Sequence, residues 1–225
     1  MEEVGIVHEP NIEKIISLQP DLVIGINVPM HNRVKEVLKE NHIPFYINGL
    51  QSIEDTDRTV ELYGRLTGDE NEADALRKKI KEECDKALHH SRNKTAPRAL
   101  ILFASPNSQN MATGESFAGD IMKRLGGINI ADVDSTIHGP YVPISMEYII
   151  RKNPEAIFIV NKGPYKGHFD KVVSDMEKDE LWGQVAAVKN KQVYNLPDTL
   201  FSSNPGSQVG EAMEFMANLL YGEES

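Results

Sequence analysis

The sequence predicts an α/β protein of two similar lobes, with mainly parallel sheets and a long rigid helix that joins them. The first observation is a phrase that occurs twice without a gap, at 11–27 and again at 145–161. The second is a long helical pattern between the copies, from residue 72 to about residue 91, with one apolar stripe and an otherwise charged surface. Two copies this far apart indicate two lobes, and two lobes imply a cleft.

Each copy of the phrase predicts a short helix, a proline break and a buried strand. Asn11 and Ser145 are expected N-caps, because their side-chain oxygens can accept an amide hydrogen of the first turn. A glutamate two residues later lies at the positive end of the helix dipole. A proline then ends each helix, since the residue before it is disfavoured in the α region. The nearly all-apolar runs that follow, at 22–26 and 156–160, are typical of parallel strands covered on both faces.

Hydrophobic periodicity assigns the remaining elements. Helices are predicted at 31–41, 52–66, 116–125, 167–177 and 205–221, strands at 43–47, 98–104, 128–131 and 192–196, and loops at 105–115 and 132–144. His168 is expected to lie in a solvated helix start.

The predicted domains are an N-terminal lobe at 1–70, a linking helix at 71–92 and a C-terminal lobe at 93–225. The first lobe shows only two clear strands, against about four in the second, and two strands form a marginal sheet. We therefore expect this lobe to be incomplete, with a strand and a helix missing or supplied by a partner. A homodimer through this lobe is one such arrangement.

Composition narrows the class of partner. Hydrophobic residues make up 40% and charged residues 26% of the chain, which is typical of a globular protein. A formal net charge of −10 disfavours nucleic acid and anionic membrane surfaces as main partners. No apolar run approaches the about 20 residues of a transmembrane helix, and the acidic start is unlike a signal peptide. A chain from which a signal had been removed would look the same. Cys84, the single cysteine, is expected to be a buried structural thiol.

Four stretches, at 10–24, 117–130, 145–154 and 181–194, carry a resemblance to a known family through their order and spacing. They resemble the substrate-binding proteins of bacterial metal-chelate ABC importers, the helical-backbone class III periplasmic binding proteins, and the resemblance extends over nearly the whole chain. The resemblance implies an extracytoplasmic protein, periplasmic or lipid-anchored on the outer face of the cytoplasmic membrane. It would capture an iron complex, a siderophore or haem, between its lobes and deliver it to the transmembrane subunits of a permease. Members typically begin with one further strand-helix unit, which has no counterpart here.

The main alternative to a binder is a two-lobed metallocofactor enzyme component. A single mid-helix cysteine disfavours it, because clusters are normally held by several cysteine thiolates. The sequence has no Gly-x-Ser-x-Gly motif and no phosphate-binding glycine loop, and 114–119 lacks the third glycine of a dinucleotide fingerprint. We therefore expect no enzymatic activity and no catalytic cofactor.

Candidate ligand-binding residues follow the strands, because ligands of open α/β sheets lie at the carboxyl ends of the strands. The first phrase leads into Asn27, Met30 and His31. A thioether and an imidazole are both good axial ligands for haem iron. The alternative is that Met30 packs under the loop and His31 caps the next helix.

In the second lobe, His138 and Tyr141 precede the repeated phrase, and the resemblance places this region facing the ligand. Tyr141 is the third predicted iron ligand, after Met30 and His31, if the ligand is haem or Fe(III). A rigid surface turn is the alternative, given the neighbouring glycine and prolines. The other candidates are Asn107 and Met111 after a strand, Lys162 and Tyr165 after the second phrase, and Phe201, where the family often has an aromatic wall.

The nature of the ligand stays open at this stage. Met30, His31, His138 and Tyr141 favour haem, whereas lysine and aromatic neighbours favour a siderophore. Cobalamin and a small oxyanion such as molybdate are further alternatives.

Overall fold

The computed structural model describes residues 2–105, 108–133, 138–161 and 167–223. The chain divides into two compact units, Met1–Leu50 and Gln51–Ser225. The prediction of an α/β fold with mainly parallel strands is confirmed. Among the described residues, no helix combines the length and the apolar character that crossing a bilayer requires.

The smaller unit contains two short sheets and two helices. Its elements are β1 (Gly5–Ile6), β2 (Glu9–Pro10), α1 (Ile12–Ser17), β3 (Val23–Ile26), α2 (Pro29–Glu40) and β4 (Phe45–Asn48). Strands β1 and β2 pair antiparallel, whereas β3 and β4 pair parallel. A small core on α1 and α2 covers one face of the β3–β4 sheet, with Ile15, Val34 and Leu38 at its centre.

The opposite face of the β3–β4 sheet is open. Ile24 is 42% exposed, Ile26 is 39% exposed and Tyr46, the register partner of Ile24, is 38% exposed. The prediction that the first strand is covered on both faces is therefore wrong for β3. The reason is that both helices of this unit pack on the same side of the sheet, and no other element of the unit covers the second side.

The larger unit is built on one six-stranded sheet. Its elements are α3 (Ile53–Thr67), α4 (Glu70–Ser91), β5 (Arg98–Ser105), β6 (Ser108–Ala112), α5 (Phe117–Arg124), β7 (Ile128–Asn129), β8 (Tyr141–Pro143), α6 (Met146–Lys152), β9 (Ala156–Asn161), α7 (His168–Lys178), α8 (Ala186–Lys189), β10 (Val193–Leu196), α9 (Asp198–Phe201) and α10 (Val209–Tyr221). The strand order is β10-β9-β5-β6-β8, and β7 pairs with the start of β5.

This sheet is mixed and is covered on both faces. Strands β9 and β7 run parallel to β5, and β10 runs parallel to β9, whereas β6 and β8 are antiparallel. Phe158 points into a core formed with α4, α5 and α10. Its neighbour Ile157 points into a second core, formed with α6, α7 and Trp182.

The two copies of the phrase fold alike locally. The Asn11 Oδ1 accepts from the amide of Lys14 at 2.9 Å, and the Ser145 Oγ accepts from the amide of Tyr148 at 3.3 Å. The residue before each proline is left-handed, with φ of 47° at Gln19 and 44° at Asn153. The predicted sequence of cap, helix, proline and strand is thus confirmed in both copies.

The structure corrects two predicted loops. Residues 105–115 contain β6, which forms an antiparallel hairpin with β5, and residues 132–144 contain β8, which pairs with β6. The first half of β6 is polar, and Ser108 and Gln109 are exposed, so no apolar alternation marked this strand. Helix α4 packs on α3 and α10 inside the larger unit. The domain boundary at residue 70 and the linking role of α4 stay predictions.

Candidate functional site

Met30 lies at the start of α2, close to the carboxyl end of β3. Pro29 occupies the first turn of this helix, where its missing N–H costs nothing and its fixed φ suits the helix. Met30 is 41% exposed and lines a cavity of about 380 Å³ together with Asn11 and Arg33. Asn27 is exposed in the short connection from β3 to α2. The smaller unit therefore presents a thioether and an amide at a strand exit, where the sequence predicts ligand contact.

His31, the next residue on α2, is buried and fully bonded. Its Nε2 donates to the carbonyl oxygen of Val7 at 2.9 Å, and its Nδ1 lies 3.1 Å from the amide nitrogen and 2.9 Å from the carbonyl oxygen of Ile26. A Cβ at Gly25 would lie 2.8 Å from this Nδ1 and 2.4 Å from the ring of Phe45, so only glycine leaves room for the imidazole. In this conformation both nitrogens of His31 have backbone partners, and neither is available to iron.

Tyr141 begins β8 in the larger unit and packs on Phe103 of β5. Their ring centroids are 5.0 Å apart, and Tyr141 is 42% exposed. Partial burial raises the pKa of the Tyr141 phenol, because loss of water disfavours the phenolate. The aromatic pair is therefore better suited to stacking against a flat ligand than to holding a free phenolate. Phe103 was not predicted as a site residue. The only signal in the sequence is strand alternation, which places its side chain on the same face of β5 as that of Ile101, two residues earlier.

Asn161 ends β9, and its side chain is bonded to a buried histidine. The Asn161 Oδ1 lies within hydrogen-bond distance of the His168 Nδ1, and His168 is only 7% exposed at the start of α7. The expectation of a solvated His168 is wrong. Gly167, which is left-handed with φ of 95°, turns the chain immediately before the helix, and the imidazole packs at the strand end instead of facing water.

The remaining predicted site residues fall into three groups. Met111 and Phe201 are 2% and 1% exposed in the two cores of the sheet, so neither side chain is accessible to a ligand in this conformation. His138 is exposed and lines a cavity of about 600 Å³ with Asp132, whose pKa is raised by burial. Asn107, Lys162 and Tyr165 lie outside the described residues.

The part of the chain that the structure describes has no group of three histidine, cysteine or carboxylate side chains arranged to hold a metal ion.

Comparison with known proteins identifies the family. A family model described as periplasmic binding protein matches residues 2–200. The high-affinity heme uptake system protein IsdE of Staphylococcus aureus strain MRSA252 is 24% identical over 224 residues, covering 97% of this chain and 74% of that protein.

Solved structures show the same fold. An ABC transporter substrate-binding protein from Listeria monocytogenes EGD-e superposes with a TM-score of 0.84 at 24% identity, covering 99% of this chain and 85% of that chain. The structure of S. aureus IsdE complexed with heme gives a TM-score of 0.81 at 24% identity, covering 97% and 84%. The resemblance predicted from the repeated phrase is thereby confirmed, and the chain belongs to the periplasmic binding protein family.

Proposed function

We propose that this chain is the haem-binding component of a bacterial ABC importer, working outside the cytoplasmic membrane and passing haem to the transmembrane permease subunits. Membership of the periplasmic binding protein family makes it a binding protein and not an enzyme, which removes the metallocofactor enzyme as an alternative. Haem is then the transported cargo, and no catalytic cofactor is required.

The observation that carries the proposal is the exposed thioether of Met30. Methionine sulfur is a good axial ligand for haem iron. Met30 is the exposed methionine among those that the structure describes, since the others are buried or half-buried. Arg33, one turn further along α2, lines the same cavity and carries a guanidinium that can pair with a haem propionate.

The aromatic pair of the larger unit supports the same ligand. A tetrapyrrole offers a large flat π-surface, and aromatic rings favour offset or edge contacts with such surfaces. Tyr141 is 42% exposed, and its ring packs on the ring of Phe103. The relative IsdE, a protein of a high-affinity heme uptake system, adds an analogy at 24% identity. We include Met30 and Tyr141 among the proposed haem contacts.

An absorbance titration of the purified chain with hemin tests the proposal. We expect a saturable, shifted Soret band at one hemin per chain. Met30→Leu keeps the apolar bulk but removes the sulfur, so its hemin affinity should fall by about tenfold or more, which corresponds to roughly 1.4 kcal/mol. Met30→His should keep binding with an altered band, because imidazole is also an axial ligand.

Two tyrosine variants complete the experiment. Tyr141→Phe keeps the stacking ring and removes the phenol, so a large loss of affinity would assign direct iron contact to the hydroxyl. Tyr63→Phe is the matched control, since Tyr63 is 40% exposed on α3. An unchanged Soret titration in Met30→Leu would remove Met30 as a ligand. A wild-type chain without a saturable band would overturn haem as the cargo and turn the search to iron-siderophores, cobalamin and oxyanions.

A further inference from the structure

A further cavity lies among helices α3, α4, α5 and α10 of the larger unit. Its volume is about 670 Å³, within the roughly 300–1,000 Å³ that is typical of small-molecule sites. The apolar part of its lining consists of five side chains: Ile53, Ile80, Cys84, Leu88 and Met213. None of these residues belongs to the proposed haem contacts.

The Cys84 thiol behaves as part of this apolar lining. The residue is 7% exposed, and burial raises its pKa to about 11, so the group stays a neutral thiol at physiological pH. A neutral buried cysteine acts as a small hydrophobic side chain. Cys84 therefore adds an uncharged side chain to the apolar part of the lining.

The two arginines at the cavity are already neutralised by the protein. Arg77 forms a bidentate pair with Asp57, with its Nε 2.7 Å and its Nη2 2.8 Å from the two carboxylate oxygens. Arg124 donates to Asp120 at 2.8 Å and also to Glu54. Because these guanidinium groups are already paired with carboxylates, they line the cavity but offer little positive charge to a ligand.

Two lysines of α4 line the cavity, and Lys81 supplies the positive charge that is not already paired within the described part of the chain. Lys78 and Lys81 are one helical turn apart and both line the cavity. Lys78 lies 4.0 Å from Glu82, and Lys81 has no ion pair among the described residues. Asp85 follows one turn later and is also without an ion pair there, so it disfavours a second anionic group at its end of the cavity.

We propose that this cavity is a second ligand site, which takes an amphipathic organic anion with an apolar body and a single carboxylate or sulfonate group. The apolar body would leave water for the surface around Ile53 and Leu88, which are half-buried, and this is the main favourable contribution. The anionic group would lie beside Lys78 and Lys81, where a partly desolvated charge pair is stronger than in bulk water. The site does not depend on the haem proposal, because it shares no residue with it.

Fluorescence titration with 1-anilinonaphthalene-8-sulfonate tests the site, since this probe has an apolar aromatic body and one sulfonate. We expect enhancement that saturates at one probe per chain. Lys81→Glu should weaken probe binding by about tenfold, because an attraction becomes a repulsion. Leu88→Trp, which fills the cavity, should abolish it. Lys86→Glu is the matched control, because this exposed lysine of α4 does not line the cavity.

The open face of the β3–β4 sheet is a competing apolar surface, and the experiment separates the two. A probe signal that is kept in Leu88→Trp but lost in an Ile24→Thr, Ile26→Thr double variant would overturn the proposal. So would unchanged affinity in Lys81→Glu, a surface substitution that does not endanger the fold. Hemin titrations of Leu88→Trp should match wild type, so failure of one proposal leaves the other intact.

Discussion

His31 shows how a single side chain sets the geometry of the smaller unit. Its ring joins the turn after β1, through the Val7 carbonyl, to the end of β3, through Ile26. The ring also meets Phe45 edge-on, with centroids 6.0 Å apart. Because Met30 is the preceding residue on α2, these contacts hold the strand exit from which its thioether is presented. We therefore infer a positioning role for His31.

Replacing His31 by Phe tests this role, because the ring and its packing remain while the hydrogen bonds are lost. Loss of these hydrogen bonds should lower the free energy of unfolding by about 0.5–1.5 kcal/mol, because Val7 and Ile26 are partly exposed and water can replace the imidazole. Urea denaturation measures this loss, and hydrogen exchange should accelerate at the Ile26 amide, which donates to the His31 Nδ1. Hemin affinity should fall less than in Met30→Leu. His8→Phe, at an exposed position in the neighbouring turn, is the control, and equal stability of the two variants would contradict the role.

The sequence predicts the exposure of Met30 better than it predicts the burial of His31. A strand followed by Pro29 indicates a helix start, so an exposed Met30 at the strand exit follows from local pattern. The burial of His31 depends on a carbonyl 24 residues away and on the space left by Gly25. Met111 was likewise predicted in a loop, because the strand pairing that buries it was not visible in its polar neighbours.

Among the elements, helix α3 is held at its amino-terminal half by carboxylates. Its N-cap, Ser52, forms a capping box with Asp55. The amide of Ile53 donates to Asp120 at 3.2 Å, which ties the helix start to α5. The hydrogen bond from Arg124 lowers the pKa of Glu54, and the hydrogen bond from Arg77 lowers the pKa of Asp57.

These lowered pKa values predict that acid reduces the free energy of unfolding. The ordinary pKa values are 4.5 for Glu54 and 3.8 for Asp57, and both are lower in the folded protein. The unfolded chain therefore binds these protons first on acidification. The stabilisation is complete above the ordinary values and is lost as the pH falls through the lowered folded values. Each pair contributes no more than about 1 kcal/mol, because the carboxylates are partly exposed.

Asp57→Asn measures the contribution of its ion pair. We expect a lower free energy of unfolding than wild type at pH 7, and a difference that shrinks as the pH falls below the ordinary pKa of 3.8, because the unfolded wild-type chain then binds the proton before the folded one. Urea denaturation across this range gives the comparison. Asp21→Asn, at an exposed position in the smaller unit, is the control. A difference that stays constant with pH would mean that Asp57 acts through packing and not through its charge.

The elements differ in how well the sequence predicts their bounds. Helices with one apolar stripe were located to within a few residues, as α4 shows at Glu70–Ser91 against the predicted 72–91. A stripe at helical spacing is a local signal that needs no knowledge of neighbours. Strand β6 has no such local signal in its sequence. It is held by backbone hydrogen bonds to its antiparallel neighbours β5 and β8, and these bonds do not depend on a particular pattern of side chains.

At the scale of the whole molecule, the two copies of the phrase show that the burial of a strand depends on the strands and helices packed around it. Strand β9 lies between β5 and β10 and is covered on both faces, whereas β3 pairs only with β4 and is open on one face. Both strands are equally apolar in sequence. The repeat therefore predicted the fold class, but it could not predict that one copy lies in a six-stranded sheet and the other in a two-stranded sheet.

The open face of β3–β4 predicts self-association of the purified chain, in which a second copy is the available partner. Ile24, Ile26 and Tyr46 expose apolar surface, and a two-stranded sheet also leaves unpaired strand edges. Sedimentation velocity should show the weight-average mass rising with protein concentration. An Ile24→Thr, Ile26→Thr variant should stay monomeric, because threonine keeps the β-branched shape that suits a strand while reducing the apolar surface. Leu181→Thr, at a 47% exposed position of the larger unit, should associate like wild type. A wild-type chain that stays monomeric at every concentration would show that apolar exposure on so small a sheet is insufficient for pairing.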